Sequence, residues 1–315
     1  MVGDLPNRTW GGKRAGRAHG LVVFGQGVTV PETGKVGCRE GVWDHGFNGG
    51  NFWSSDGFNQ SRPVEVWVYP LLFLTGAVAG WVDAIAGGGG LLTVPALLWA
   101  GLPVPMALGT NKLQSSCGTA IATWRYARAG LLDQPALKVG IIATLVGASW
   151  GVASVNRIDP HLLKQVLPVL LVLVAGYFWL KPDLGDRPRP ARLKPLTFAV
   201  IAGTGLGFYD GAFGPGTGSF WMAASVGLLG LDLRRATGWT KAMNLSSNLA
   251  SLAVFLWLGN VHFTLGAVMA VGQVMGARVG SGMVLTRGRQ VIRPTLLVVV
   301  LILATKLTFD ALTHP

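Results

Sequence analysis

The sequence predicts an all-α polytopic membrane protein built from two inverted repeats. Half of the 315 residues are apolar and 13% are charged, whereas an ordinary soluble domain carries roughly 25% charged residues. From residue 64 onward, apolar segments follow one another, and each span of a bilayer needs about 20 mostly apolar residues. The two halves of this apolar region also share motifs in the same order, which indicates an internal duplication.

Residues 1–62 differ from the rest of the chain, because they are rich in glycine, carry scattered charges and lack a long apolar run. Such a composition cannot bury enough apolar surface to fold, so we predict a disordered leader. Leu21–Phe24 is too short for the apolar core of a signal peptide. An over-extended gene start is an alternative origin of this leader. The transmembrane domain is predicted over 63–315.

Ten apolar segments form two groups of five on either side of a basic, proline-rich linker at 181–195. The first repeat is assigned to 64–180 and the second to 196–312. The predicted segments are 66–86, 90–101, 104–127, 136–155, 162–180, 196–213, 218–230, 238–258, 263–285 and 291–309. The short second segment of each half either crosses the bilayer or pairs with its predecessor as a re-entrant hairpin, and hydropathy allows both.

The motifs of the two halves match at an offset of about 125 to 129 residues. The matched positions are Asp83 and Asp210, the glycine clusters at 87–90 and 214–218, Asn111-Lys112 and Thr240-Lys241, and Val146-Gly147 and Val271-Gly272. An internal duplication of this kind is typical of proteins whose binding site lies near the bilayer midplane, between the repeats.

The distribution of basic residues predicts how the halves are oriented. If the linker is cytoplasmic, the loops on its side carry twelve basic residues and the opposite loops carry Arg157 and Lys164, as the positive-inside rule requires. The twelve are Arg125, Arg128, Lys181, Arg187, Arg189, Arg192, Lys194, Arg234, Arg235, Arg287, Arg289 and Arg293. Corresponding loops swap sides, so each repeat has an odd number of crossings and the repeats are inverted. This interspersed pattern predicts no nucleic-acid partner.

The apolar region lacks the residue patterns of known catalytic and metal sites. Its histidines, His161, His262 and His314, lie near segment ends. No Ser-His-Asp set, carboxylate pair or Cys/His metal spacing accompanies them. We therefore expect neither an enzyme, nor a cofactor, nor a bound metal.

The two glycine clusters predict breaks in the helices within the bilayer. Backbone groups freed at such a break must be satisfied by protein, water or ligand. If helices start at Leu91 and Ser219, their N-termini present partial positive charge to the break and favour an anion. The candidate binding residues of the clusters are Gly87, Gly88, Gly89, Gly214, Gly216, Thr217 and Gly218. Alternatively, these glycines only permit close packing of helices.

Two lysines at matching positions, Lys112 and Lys241, are candidates to hold an anion between them. A buried ammonium costs about 3 kcal/mol or more unless it is paired. Neutral hydrogen bonds to the anion are expected from Asn111, Ser115, Thr240 and Asn244. The alternative is that both lysines snorkel to the interface. Asp83 and Asp210 are candidate coupling groups, which take up a proton, neutralise the lysines or cap a helix start.

Four motifs in order carry a resemblance to a known family. They are Gly80–Pro95, Leu108–Gln114, Gly207–Trp221 and Thr240–Asn244. Together they resemble the sulfite exporter TauE/SafE family of membrane permeases, and more narrowly its YfcA-like branch, over about Val64–Leu312. The resemblance implies a multi-pass protein of the bacterial inner membrane with about eight transmembrane helices, besides short broken or re-entrant ones.

The resemblance also implies transport of small sulfur-containing or related organic anions. We therefore expect a secondary transporter, an exporter, of a small anion such as sulfite or an organosulfonate, embedded in the lipid bilayer and coupled to protons or sodium. Two alternatives remain open at this point. One is a passive anion channel, and the other is a membrane scaffold or assembly factor without transport.

Overall fold

The computed structural model describes residues 65–154, 176, 179–180, 185–214 and 216–313. Every long regular element in them is an α-helix, which confirms the all-helical prediction. The nine helices of this part are α1 (Val68–Ala86), α2 (Gly90–Trp99), α3 (Val104–Arg128), α4 (Leu137–Ser154), α5 (Pro195–Ala212), α6 (Thr217–Leu228), α7 (Leu233–Trp257), α8 (Phe263–Arg287) and α9 (Arg289–Thr313). The predicted leader over 1–62 and nearly all of segment 162–180 lie outside the described residues.

The helix α7 begins at Leu233, five residues before the predicted segment at 238–258. Asp232 explains this earlier start, because its carboxylate accepts hydrogen bonds from the backbone N–H groups of Arg234 and Arg235 at 3.0 and 3.1 Å. This is the arrangement of an N-cap, which satisfies free donors of the first turn. The prediction that both arginines lie in a loop is therefore wrong, since they belong to the first turn of α7.

Two close helix contacts join the halves of the chain. In the first, α1 packs parallel to α8, with Gly76 against the backbone of Met269 and Gly280 against that of Trp81. In the second, α4 packs parallel to α5 through Gly207, where a Cβ atom would lie 2.7 Å from the carbonyl oxygen of Thr144. These glycines allow the backbones of neighbouring helices to approach each other closely.

Each short helix folds back along the helix before it. The rings of Trp67 and Trp99 lie 5.2 Å apart, so α2 ends beside the start of α1. In the second half, the Leu228 carbonyl at the end of α6 accepts from the Arg192 N–H at 2.8 Å, just before α5 begins. Ten residues of helix span about 15 Å, half of a bilayer core. Of the two alternatives for these segments, the hairpin is the observed one.

The exterior of the bundle is apolar, unlike the surface of a soluble protein, and some polar faces are buried. Large apolar side chains are exposed on the outside of the bundle, as at Ile142, Val146 and Trp150 of α4. Most of the polar side chains of α3 and α7, two helices that pack against each other, are buried, whereas the arginines at their basic ends are not. A lipid bilayer is the solvent that suits an apolar exterior, and polar groups within a membrane face the interior of the bundle.

Three of the described helices are long and apolar enough to cross a membrane, namely Val68–Ala86, Leu137–Ser154 and Phe263–Arg287. The helices α3 and α7 are longer than the first two, with 25 residues each. Their sequences are less apolar because one face of each carries lysine, asparagine, serine and threonine, and this face is buried.

Basic residues gather at one end of the bundle, where α3 and α8 end and α7 begins. The contacts that join them are Arg125 Nη1 to the Arg278 carbonyl, Arg234 Nη2 to the Leu285 carbonyl, and Arg289 Nη1 to Asp186 Oδ2. At the opposite end, the His262 N–H donates to Thr110 Oγ1 at 2.9 Å, where α8 begins. The linker and the segment around Asn260 therefore lie at opposite ends of the bundle.

Candidate functional site

Both glycine clusters interrupt the helical path between a long helix and a short one. In the first cluster, Gly87 and Gly88 have φ angles of +80° and +99°. In the second cluster, Gly214 and Gly216 have φ angles of +87° and +82°. Glycine adopts this backbone region readily, whereas other residues are strained there. The clusters therefore break the helices, as predicted, although the short helices start at Gly90 and Thr217 rather than at Leu91 and Ser219.

The two breaks touch each other at the centre of the bundle. A Cβ atom on Gly87 would lie 2.6 Å from the Cα atom of Gly218, which is closer than real side chains approach. This contact joins residues from the two matched clusters and therefore from the two halves. The two breaks therefore border one region of the protein rather than two separate regions.

The paired lysines and aspartates form two buried ion pairs. Lys112 Nζ lies 3.0 Å from Asp210 Oδ1, and Lys241 Nζ lies 3.0 Å from Asp83 Oδ2. Each pair joins a lysine of one half to an aspartate of the other half. The exposed fractions of Lys112 and Lys241 are 4% and 0%. Snorkelling to the interface is therefore wrong for both, and neutralisation by the aspartates is the observed arrangement.

The Lys112–Asp210 pair is held by further polar groups. Besides the carboxylate, Lys112 Nζ donates to the Asp210 carbonyl oxygen at 3.0 Å and to Asn248 Oδ1 at 3.3 Å. The Asp210 carboxylate also accepts hydrogen bonds from the hydroxyl groups of Thr217 and Ser247. Since the ammonium has three donors, this network satisfies it completely.

The Lys241–Asp83 pair is simpler in the described part of the chain. Lys241 Nζ donates to Asp83 Oδ2 at 3.0 Å, and Asp83 Oδ1 lies 3.4 Å from the Gly89 N–H at the start of α2. Asp83 therefore neutralises Lys241 and also caps the start of α2. Both roles were among the alternatives predicted for this residue. The hydroxyl group of Thr240, beside Lys241, has no hydrogen-bond partner among the described residues.

A small internal cavity of about 40 Å³ lies between the breaks and the helices α3 and α7. Its wall contains most of the predicted site residues. They are Gly88, Asn111, Lys112, Ser115, Gly214, Thr217, Gly218 and Asn244, together with Asp83 and Asp210. The other predicted residues, Gly87, Gly89, Gly216, Thr240 and Lys241, lie outside this wall and support it from the breaks and from α7.

Three cavity residues were missed by the sequence analysis, namely Gly90, Val94 and Asn248. Asn248 carried a usable signal, because it follows Lys241 and Asn244 by seven and four residues. Positions three, four and seven residues apart share one face of a helix. Val94 carried none, since an apolar residue in an apolar segment does not stand out.

Asparagine amides supply neutral hydrogen-bonding groups at the cavity wall. Asn111 Oδ1 accepts from Thr93 Oγ1 at 2.6 Å and from Gln114 Nε2 at 2.8 Å, and its Nδ2 faces Gly90. Asn244 Oδ1 has no partner among the described residues. An amide oxygen without a partner can accept a hydrogen bond from a water molecule or from a protonated ligand in the cavity. The site thus combines two ammonium groups, two carboxylates and two amide side chains, and its formal charge is zero.

The fold and the site define a class of protein: a helical membrane protein with a polar, charge-paired centre between two glycine breaks. The family model described as "Sulfite exporter TauE/SafE" matches residues 72–307. The match covers well over half of the chain, so the chain belongs to the TauE/SafE family, as the sequence motifs predicted.

Bacterial relatives agree with this assignment. The "Probable membrane transporter protein YfcA" of Escherichia coli K12 is 42% identical over 254 residues, which cover 81% of this chain and 94% of the relative. A relative from Haemophilus influenzae is 42% identical over 76% of this chain and 94% of its own length. A third, from Sinorhizobium, is 42% identical over 78% of this chain and 93% of its own length. Each of the three relatives is named a "Probable membrane transporter protein". No solved structure matches the chain.

Proposed function

We propose that the protein is a secondary transporter of a small anion, such as sulfite or an organosulfonate, and that it works as an exporter in the bacterial inner membrane. The observation that carries this proposal is the pair of buried ion pairs, Lys112–Asp210 and Lys241–Asp83, beside a cavity between two helix breaks. Such breaks between duplicated halves are typical of substrate sites in secondary transporters.

The neutral charge of the site supports coupling to protons. An anion that enters the cavity adds negative charge to a buried region where two carboxylates already balance two ammonium groups, and uncompensated buried charge is costly. If Asp210 takes up a proton, Lys112 loses its anionic partner and can bind the substrate instead. One proton then accompanies each anion, and the O–H bond that forms on Asp210 breaks again when the proton is released.

The same pairs argue against sodium as the coupling ion. A sodium ion needs several oxygen ligands, and the carboxylates that would supply them are held by ammonium groups at 3.0 Å. A sodium ion would therefore have to displace a lysine from its carboxylate and also recruit several further oxygen ligands. A proton needs one oxygen atom of one carboxylate.

The walls of the cavity favour a small oxyanion as the substrate. The helix starts at Gly90 and Thr217 direct partial positive charge toward the break, and Asn111 and Asn244 add amide groups. A volume of about 40 Å³ is close to the share of one or two water molecules in the liquid. Sulfite fits this size better than a larger organosulfonate, for which the breaks would have to separate.

Inverted repeats are part of the proposal and supply the means of alternating access. Since α1 and α8 run from the Trp67 end toward the basic end, whereas α4 and α5 run in the opposite direction, matched helices have opposite orientations. Seven long described helices together with the predicted segment 162–180 give about eight spans. Rocking of one repeat against the other would open the central site to each side in turn.

The net charge of the transported anion and proton supports export rather than import. The gathering of basic residues supports a cytoplasmic location of the linker end. A divalent anion that moves with one proton carries one net negative charge, and a potential that is negative inside drives this charge outward by about 2.3 kcal/mol per 100 mV. A pH gradient that is alkaline inside opposes the outward movement of the proton, so the membrane potential is the force that drives export. The description of the family as sulfite exporters makes sulfite the first anion to test.

A transporter fits the described residues better than the two alternatives. A channel needs a continuous water path, whereas Gly87 and Gly218 are in contact and the cavity beside them is small. A scaffold does not need two buried ion pairs, because a protein with a buried ion pair is often less stable than one with apolar residues of the same size in its place.

Uptake into proteoliposomes tests this proposal. The purified protein is reconstituted, and uptake of sulfite, sulfate, thiosulfate, sulfoacetate and taurine is measured with and without an imposed pH gradient. We expect protein-dependent accumulation of at least one of these anions that responds to the gradient. Fast equilibration without accumulation would favour the channel, and no uptake of any of the five would contradict the proposal.

A further inference from the structure

A second pocket, remote from the central cavity, lies at the basic end of the bundle between the ends of α3 and α8. It has a volume of about 530 Å³, and three arginine side chains line it, namely Arg125, Arg278 and Arg287. The rest of its wall includes Val279, Gly282 and Met283. This pocket combines concentrated positive charge with an apolar floor.

The positive charge of the pocket is not balanced by carboxylates in the described part of the protein. The ion pairs found there involve other basic residues. One guanidinium N–H group of Arg125 donates to the carbonyl oxygen of Arg278, which fixes the position of the Arg125 side chain. The other N–H groups of this guanidinium can bind a ligand. Guanidinium groups without carboxylate partners are suited to bind phosphate through two parallel hydrogen bonds.

The pocket opens onto the apolar exterior of the protein. Below it, one exposed face of α8 continues toward the middle of the helix through Val279, Met275 and Val271, with exposed fractions of 59%, 54% and 57%. On α3, the neighbouring Trp124 is 53% exposed, and the Arg128 guanidinium lies 5.1 Å from the centre of its ring. Exposed tryptophan beside arginine is typical of the level of lipid headgroups.

We infer that this pocket binds the phosphate of an anionic phospholipid, whose acyl chains lie along the exposed face of α8. The arginines supply the charge and hydrogen bonds for the headgroup, and basic pockets between transmembrane helices on the cytoplasmic side are suited to such lipids. A free phosphate ion would use the arginines but leave the apolar row uncovered. The inference depends on insertion in a membrane and not on the proposed anion transport.

Native mass spectrometry of the full-length protein in detergent tests the inference. Phosphatidylglycerol and phosphatidylcholine with the same acyl chains are titrated separately, and the populations of the bound states are compared. We expect phosphatidylglycerol to bind at least tenfold more tightly. The double variant Arg278→Gln/Arg287→Gln should lose most of this preference, and Arg278→Lys should retain part of it because the charge remains.

The matched control is Arg187→Gln/Arg192→Gln, which removes two charges from exposed residues of the linker outside the pocket. This control should keep the lipid preference, and thermal unfolding should be the same for all variants because the replaced side chains are exposed. Equal binding of the two lipids would overturn the inference, as would an equal loss in the control. Displacement of phosphatidylglycerol by an equal concentration of inorganic phosphate would also overturn it, because the pocket would then be a site for soluble anions.

Discussion

Lys112 of the first half and Asp210 of the second half form a buried ion pair with a separation of 3.0 Å between Nζ and Oδ1, and Lys241 and Asp83 repeat it with the halves exchanged. Each half therefore holds the charge that the other half needs. Because a buried charge without a partner is costly, the two ion pairs hold the halves together when both carboxylates are ionised. A proton or a substrate that opens one pair also loosens the contact between the halves.

The first prediction concerns the stability of the Lys112–Asp210 pair. Lys112→Met leaves a buried carboxylate without its partner, and Asp210→Asn leaves a buried ammonium, so each should destabilise the protein by about 3–5 kcal/mol. The double variant should be more stable than the sum of the two losses predicts, because it leaves no unpaired charge. Unfolding in detergent followed by circular dichroism measures all three variants.

Asp133→Asn is the control for this series, because Asp133 is exposed in the described part of the chain. It should change the free energy of unfolding by less than about 0.5 kcal/mol. Strictly additive losses in the double variant would show that the two side chains do not act as a pair.

The second prediction concerns the contact between α4 and α5. A Cβ atom on Gly207 would lie 2.7 Å from the carbonyl oxygen of Thr144, whereas a Cβ atom on Gly205, in the same helix, meets no atom within 4 Å. Gly207→Ala should therefore destabilise the protein by about 1–3 kcal/mol through overpacking. Gly205→Ala should be neutral or slightly stabilising, since alanine favours helix.

Thermal unfolding and the fraction of monodisperse protein in detergent measure this difference. Equal behaviour of the two variants would mean that α4 and α5 do not pack through Gly207. The comparison is well matched, because the substitution and the helix are the same and only the neighbouring atoms differ.

The third prediction concerns the orientation in the membrane. A reporter fused within the linker after Arg187 should be cytoplasmic, and one fused at Asn260 should be periplasmic, because these positions lie at opposite ends of the bundle and the basic residues gather at the linker end. Cysteine accessibility or a pair of compartment-specific reporter enzymes provides the measurement. Finding both positions on the same side would contradict the inverted repeats.

Much of the site could be predicted from the internal duplication. The repeat identified Asp83, Lys112, Asp210 and Lys241 as matched groups, and the glycine clusters as breaks. Their pairing across the halves was not predictable, because a repeat shows which residues correspond and not how two repeats dock. The burial of Lys112 depends on that docking as well, since its acceptors Asp210 and Asn248 come from the other half.

The hairpins formed by the short helices were left open by the sequence for a related reason. Hydropathy measures whether a segment tolerates contact with lipid. A helix that folds back along its predecessor is as apolar as one that crosses the bilayer, so hydropathy does not distinguish the two. The contact between Trp67 and Trp99 decides in favour of the hairpin for α2. The start of α7 depended on a local interaction instead, the N-cap at Asp232, whose sequence signal was outweighed by two adjacent arginines.

The central claim is that protonation of Asp210 frees Lys112 for the anion, and coupled uptake tests it most directly. Proteoliposomes are loaded with buffer, an inward pH gradient is imposed, and accumulation of sulfoacetate or sulfite is followed together with the proton flux. The unsubstituted protein should accumulate the anion with one proton for each anion. Asp210→Asn, which resembles the protonated state, should no longer respond to the gradient but should still exchange external for internal anion in vesicles preloaded with the anion, whereas Asp133→Asn should behave as the unsubstituted protein does. If Asp210→Asn accumulates the anion with the same proton flux as the unsubstituted protein, the claim is wrong.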